Sequence, residues 1–168
     1  MSTAYSNIVA GLVATPPTHA PVGKNSGRER VIMDNFEVLA ADVADTDIIV
    51  LCRLPSNVRL TSLQIGNDEL DANASPTATF DIGGYKPDGT VIDVDALGTS
   101  VAQFGAATAL TELLYETKTI EDVGEYLWQM LGLSADPGGM IDIALTMDAA
   151  NATAAAGTIA FVIKYTLD

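Results

Sequence analysis

The sequence predicts an all-β protein: an antiparallel β-sandwich, jelly-roll-like, with one α-helix at about 120–131 and an extended N-terminal arm. Three observations point there. Six blocks alternate apolar and polar residues with period two, a pattern that buries one face of a strand and wets the other. Turn residues punctuate the chain at short intervals, and a single segment has helical spacing, too little helix for an α/β fold. Hydrophobic residues make up 48% of 168 positions with only 6% aromatic, enough for one aliphatic core.

The chain divides into an arm, residues 1–27, and a sandwich domain, residues 28–168. The arm begins with the apolar patch Ile8-Val9-Ala10-Gly11-Leu12-Val13-Ala14. Seven residues fall far short of a membrane span, and no positive cluster precedes them, so neither a membrane segment nor a signal peptide is expected. Pro16, Pro17 and Pro21 follow within six residues. Proline lacks the amide donor and holds its predecessor in extended shapes, which argues against helix or central strand. The arm is therefore expected to be extended, with Ile8, Val9, Leu12, Val13, Pro16 and Pro17 as its candidate partner-binding residues.

The body offers eight strands. Val31 to Leu39 has a phase slip near Asn35 that suggests a bulge. Asp47 to Leu54 is apolar on both faces, as a central strand would be. Asn57 to Ile65 alternates through Val58 and Leu60, then shifts phase to Leu63 and Ile65. Thr77 to Tyr85 is the cleanest central strand, although Gly83-Gly84 marks a bulge or the close approach of another backbone. Pro87-Asp88-Gly89 turns the chain into Val91 to Val94. Leu110 to Tyr115 is a weaker strand. Thr119 is placed to cap the helix, with Ile120, Val123, Leu127, Met130 and Leu131 on its apolar face and Gly132 as a left-handed stop. Trp128 sits at the edge of that stripe, placed to pack on the sheet. Met140 to Met147 and Thr158 to Tyr165 close the fold, joined by the loop 148–157. The expected inner face includes Phe80, Ile82, Ile141, Ile143, Leu145, Ile159, Phe161 and Ile163.

Charge and composition narrow the function. The net charge is −14; residues 1–30 hold Lys24, Arg28 and Arg30 against Glu29, a net of +2, which leaves −16 for residues 31–168. Such an acidic body repels phosphate backbones, so no nucleic-acid partner is expected. One histidine and one cysteine provide neither a metal-ligand cluster nor a nucleophile with its base. His19 lies in the arm, and Cys52 reads as a small core hydrophobe outside any disulfide. Asp68, Glu69 and Asp71, and Asp81, Asp88, Asp93 and Asp95 around the hairpin, match no calcium loop and read as solvated carboxylates, with Asp88 serving the turn. The expectation is no catalytic residue, no cofactor and no metal.

Several motifs carry a resemblance. Thr15-Pro16-Pro17, Gly27-Arg28-Glu29-Arg30-Val31 and Phe36-Glu37-Val38 are followed by Arg53-Leu54-Pro55. Then come Asp81-Ile82-Gly83-Gly84-Tyr85-Lys86-Pro87-Asp88-Gly89 and Leu127-Trp128-Gln129-Met130-Leu131-Gly132-Leu133. Together they resemble small structural proteins of tailed bacteriophages, in particular head decoration, or cement, proteins. That resemblance implies a virion protein bound outside the major capsid shell and made in the bacterial host cytoplasm. It also implies self-association, with a homotrimer favoured and a dimer as the alternative. It carries no catalytic residue to transfer. The competing reading is a carbohydrate- or receptor-binding sandwich of a phage fibre, which expects exposed aromatics gathered on one face.

Overall fold

The alternating blocks become eight strands in a computed structural model, which describes residues 4–168. They are β1 (Glu29–Val38), β2 (Ile48–Pro55), β3 (Val58–Asn67), β4 (Thr79–Tyr85), β5 (Val91–Val101), β6 (Thr108–Glu112), β7 (Met140–Ala149) and β8 (Gly157–Leu167). All pair antiparallel, in two four-stranded sheets of order β1-β8-β3-β6 and β2-β7-β4-β5. Two sheets woven alternately by one chain in this order form a jelly-roll sandwich. The eight expected inner-face residues are all buried between the sheets, together with Leu54, Leu63, Ile65 and Leu114. Phe80 lies against Phe104 with ring centroids 4.4 Å apart.

Four local expectations are corrected. β2 is an edge strand, not a central one: Ile48 and Val50 are about half exposed, and only its other face meets the core. Apolar residues on both faces of a strand say nothing about its neighbours when one face borders open surface. β1 runs along β8 in unbroken register, so the bulge expected near Asn35 is absent. Bulges instead lie in β2 between Val50 and Cys52, and in β3 between Leu60 and Ser62, where the apolar phase shifts.

The helix expected at about 120–131 is split. A 3-10 turn, Ile120–Asp122, is separated from the single-turn helix Leu127–Met130 by Gly124 at φ 77°, a left-handed conformation in which no α-helix continues. Asp122 closes the first piece by accepting the Thr119 N–H at 2.6 Å. Ile120, at 86% exposure, faces outward, whereas Leu127, Met130 and Leu131 are buried and Trp128 packs partly on the core. Gly132, at φ 72°, ends the second piece as its position predicts.

The arm is the fourth correction. Instead of running extended throughout, it forms α1 (Asn7–Val13) and α2 (Val22–Asn25) on either side of the proline segment. Ser6 caps α1, its Oγ accepting the Val9 N–H at 3.4 Å. The prolines restrict only their own neighbourhood, which leaves the seven residues before them free to coil.

Candidate functional site

The arm packs where the sandwich ends at β3 and β8, and a small polar latch holds it there. Gly23 of α2 donates its N–H to Asp168 Oδ1 at 2.5 Å, and its carbonyl accepts the Thr166 hydroxyl at 2.9 Å. A Cβ at Gly23 would sit 2.4 Å from Asp168 Oδ1, so a larger residue there would push that carboxylate aside. Asp168 Oδ2 also accepts from Arg59 Nη2 at 3.1 Å and from the Tyr126 hydroxyl. The Tyr126 hydrogen bond is the main cause that lowers the Asp168 pKa, and the same bond raises that of Tyr126. Arg59 is buried, lies 3.5 Å over the Tyr126 ring and donates to the Gly124 carbonyl. Stacking of Tyr126 on Trp128, with centroids 6.3 Å apart, continues the latch into the core.

Above this latch, α1 leans over a groove of about 520 Å³ whose walls include Ile8, Leu60, Tyr115, Val123 and the α2 residues Gly23 and Lys24. None of the α1 residues is buried. Ile8 is half-buried against the groove, while Val9, Leu12 and Val13 are exposed, the last at 60%. The helix therefore gathers four of the six candidate partner-binding residues on neighbouring turns. Pro16 and Pro17 are exposed beyond it, on the segment that returns to α2. An apolar ridge of this kind, held at one end by a polar latch, can bury surface against another chain.

The remaining chemistry-bearing residues are distributed as structural groups. His19 is exposed on the arm. Burial, followed by the charge of Asp142, pushes the Cys52 thiol up to about 12, which keeps it protonated and unreactive at neutral pH. Asp142 itself forms a two-pronged pair with Arg53, at 2.5 and 2.8 Å. Among the described residues no group of three or more His, Cys, Asp or Glu is placed to hold a metal ion. At the hairpin, the hydrogen bond to Asp93 is the main cause that raises the Asp95 carboxyl. Asp71 departs from the solvated reading: it is fully buried and bonded only to backbone.

Sequence reasoning passed over the latch. Arg59 stands between Val58 and Leu60 at the start of β3, where the period-two pattern reads it as an outward-facing polar residue, so nothing local marks it as buried. Its partners at 124, 126 and 168 are too distant in sequence for spacing to reveal.

No family model matches the chain, and no curated protein matches it. Solved structures do. The fold is similar to that of a chain in the cyanophage Pam1 capsid asymmetric unit, with TM-score 0.60 and 17% identity over 90% of this chain and 93% of that one. It is similar as well to a chain in the capsid of Ralstonia phage GP4, with TM-score 0.61 and 21% identity over 90% of each chain. At these identities the likeness is one of fold.

Proposed function

We propose that this protein is a structural component of a tailed-phage virion, a decoration or cement protein that binds the outside of the major capsid shell and stabilises it. The observation that carries the reading is the pair of fold likenesses, each spanning nine-tenths of this chain, to chains drawn from phage capsids. The arm supports it: α1 presents Val9, Leu12 and Val13 to solvent beside the acidic body, an apolar ridge suited to a neighbouring subunit. In this reading the partners are the major capsid protein and further copies of the chain, assembled as a trimer or dimer about a symmetry axis of the shell. The protein performs no catalysis.

Mixing the purified protein with capsids assembled without it tests the reading. The full chain is expected to sediment with the particles and raise their disruption temperature, and a chain lacking residues 1–20 to bind more weakly. Free protein that leaves capsid stability unchanged and stays in the supernatant refutes the cement role. Equal binding by both chains refutes the part assigned to the arm.

A further inference from the structure

Of the four sheet edges, three are blunted. β2 shifts register between Val50 and Cys52 and ends on Pro55. β5 shifts register three times against β4, and β6 is only five residues long. Bulges, prolines and short strands are the means by which sheets keep an edge from pairing with another chain. β1 is neither short, bulged nor interrupted by proline: its ten residues run in unbroken register along β8, and its one edge device is charge, of both signs, at Glu29, Arg30, Asp34 and Glu37.

The free edge of β1 can be identified from the ladder. Asp68 donates its N–H to the Thr158 carbonyl at 2.9 Å, so even-numbered residues of β8 bond towards β3 and odd-numbered ones towards β1. In the β1–β8 register those odd residues face Ile32, Asp34 and Phe36. The backbone groups of Val31, Met33 and Asn35 therefore point away from the sheet. Consistent with this, the Asn35 N–H turns to the neighbouring Asp34 side chain at 2.9 Å. Val31 and Met33 also expose 44% and 68% of their surface, and Arg30 and Asp34 are exposed.

We infer that β1 is a self-pairing edge: it joins β1 of a second copy, antiparallel, about a two-fold axis at Ile32, making one continuous eight-stranded sheet. A two-fold normal to the sheet keeps each side chain on its own face and pairs residues symmetrically about the axis. With Ile32 on the axis, Arg30 of each copy stands opposite Asp34 of the other, Val31 opposite Met33, Glu29 opposite Asn35, and Ile32 opposite itself. Directly opposed side chains lie about 5 Å apart at Cβ, where opposite charges attract and like charges repel. Neighbouring registers are poorer. An axis at Met33 sets Glu29 against Glu37, one at Asp34 sets that aspartate against itself, and one at Val31 sets Arg30 against Ile32. This inference stands on β1 and is independent of the virion reading.

Sedimentation equilibrium of the full chain tests it, with circular dichroism and thermal melting to confirm that each variant is folded. The wild type is expected at twice the chain mass. Arg30→Asp, which opposes two aspartate pairs, is expected to weaken the dimer about tenfold. The double change Arg30→Asp with Asp34→Arg is expected to restore it, because each pair is only reversed. Met33→Pro removes a free-edge donor while leaving the ladder to β8 intact, and is expected to give a folded monomer. A wild type that stays monomeric, a dimer indifferent to Arg30→Asp and Met33→Pro, or a double variant that fails to recover overturns the inference. So does a trimer unaffected by these changes while particle binding is lost, an outcome that assigns the edge to a different chain.

Discussion

Asp71 and Thr153, on two loops far apart in sequence, are joined by a hydrogen bond of 2.8 Å from the Thr153 N–H to Asp71 Oδ1. Oδ2 accepts from Thr77 at 2.8 Å, Ala152 at 3.0 Å and Ala78 at 3.2 Å. A fully buried carboxylate with no cation beside it is costly on its own. Here four backbone amides satisfy it, and in return it fastens the entry of β4 to the loop between β7 and β8. Asp71→Ala leaves those donors without an acceptor and is expected to cost about 3–5 kcal/mol, read as a lower urea midpoint.

The same group governs acid stability. Burial pushes the Asp71 carboxyl up, but the amides of Thr153, Thr77, Ala152 and Ala78 outweigh it and bring the pKa to about 2, from 3.8. A carboxyl lowered by folding contributes stability above its unfolded pKa, and that contribution is lost as pH falls through the folded value. Between pH 4 and pH 2 the wild type is expected to lose stability that Asp71→Asn, lacking the titration, does not lose. Parallel pH profiles of the two melting temperatures would contradict this account.

Most of the fold was legible in the sequence because the period-two rule is local. Phe80, Ile82, Ile141 and Ile163 announce their inward direction through immediate neighbours, and the turn at Pro87-Asp88-Gly89 is set by its own residues, with Gly89 at φ 85°. What was not legible depended on distant partners. The edge position of β2 is decided by which strand lies beside it. The role of Asp71 is decided by amides at 152 and 153, and that of Arg59 by Asp168. For the candidate site, the residues Ile8 to Val13 were identifiable as an apolar patch, but not as a helix. The prolines after them dominated the reading although they constrain only adjacent residues.

Phe161, 2% exposed on β8, packs in the middle of the core between the two sheets. Phe161→Ala is expected to cost about 3–5 kcal/mol, the usual loss for a truncated core aromatic. Equilibrium denaturation checks this. A loss below about 1 kcal/mol would mean that the core collapses around the gap or that the side chain is not enclosed.

The Gly83-Gly84 pair makes a sharper comparison, because each glycine admits a different neighbour. A Cβ at Gly83 would fall 2.1 Å from the Asp93 carbonyl oxygen, in the irregular part of the neighbouring strand β5. One at Gly84 would fall 2.4 Å from Leu131 Cδ1, a movable side-chain end. Gly83→Ala must displace backbone, whereas Gly84→Ala asks Leu131 to change rotamer. The expected order of melting temperatures is wild type, then Gly84→Ala, then Gly83→Ala. The reverse order would show that β5 yields more readily than the Leu131 contact.

The arm can be dissected by where its latch begins. Residues 4 to 20 reach the body mainly through half-buried Ile8 and the groove, whereas Gly23 is bound on both its N–H and its carbonyl. A chain lacking residues 1–20 retains α2 and the full set of contacts around Asp168. Its melting temperature is expected to stay within a degree or two of wild type, since loss of a half-exposed helix changes stability little. Removing residues 1–25 strips Asp168 of its backbone donor and uncovers Arg59, which remains tied to Gly124 and Tyr126 but loses its cover. That chain is expected to melt several degrees lower, as a loss of about 1–2 kcal/mol would produce in a domain of this size. Asp168→Ala in the full chain removes the acceptor of the Gly23 N–H and also that of Arg59 and the Tyr126 hydroxyl, so its loss should be at least as large as that of the longer truncation. Combining the two should add little further loss, because both act on one set of contacts. Additive losses would place α2 and Asp168 in separate interactions and break the latch into unrelated parts.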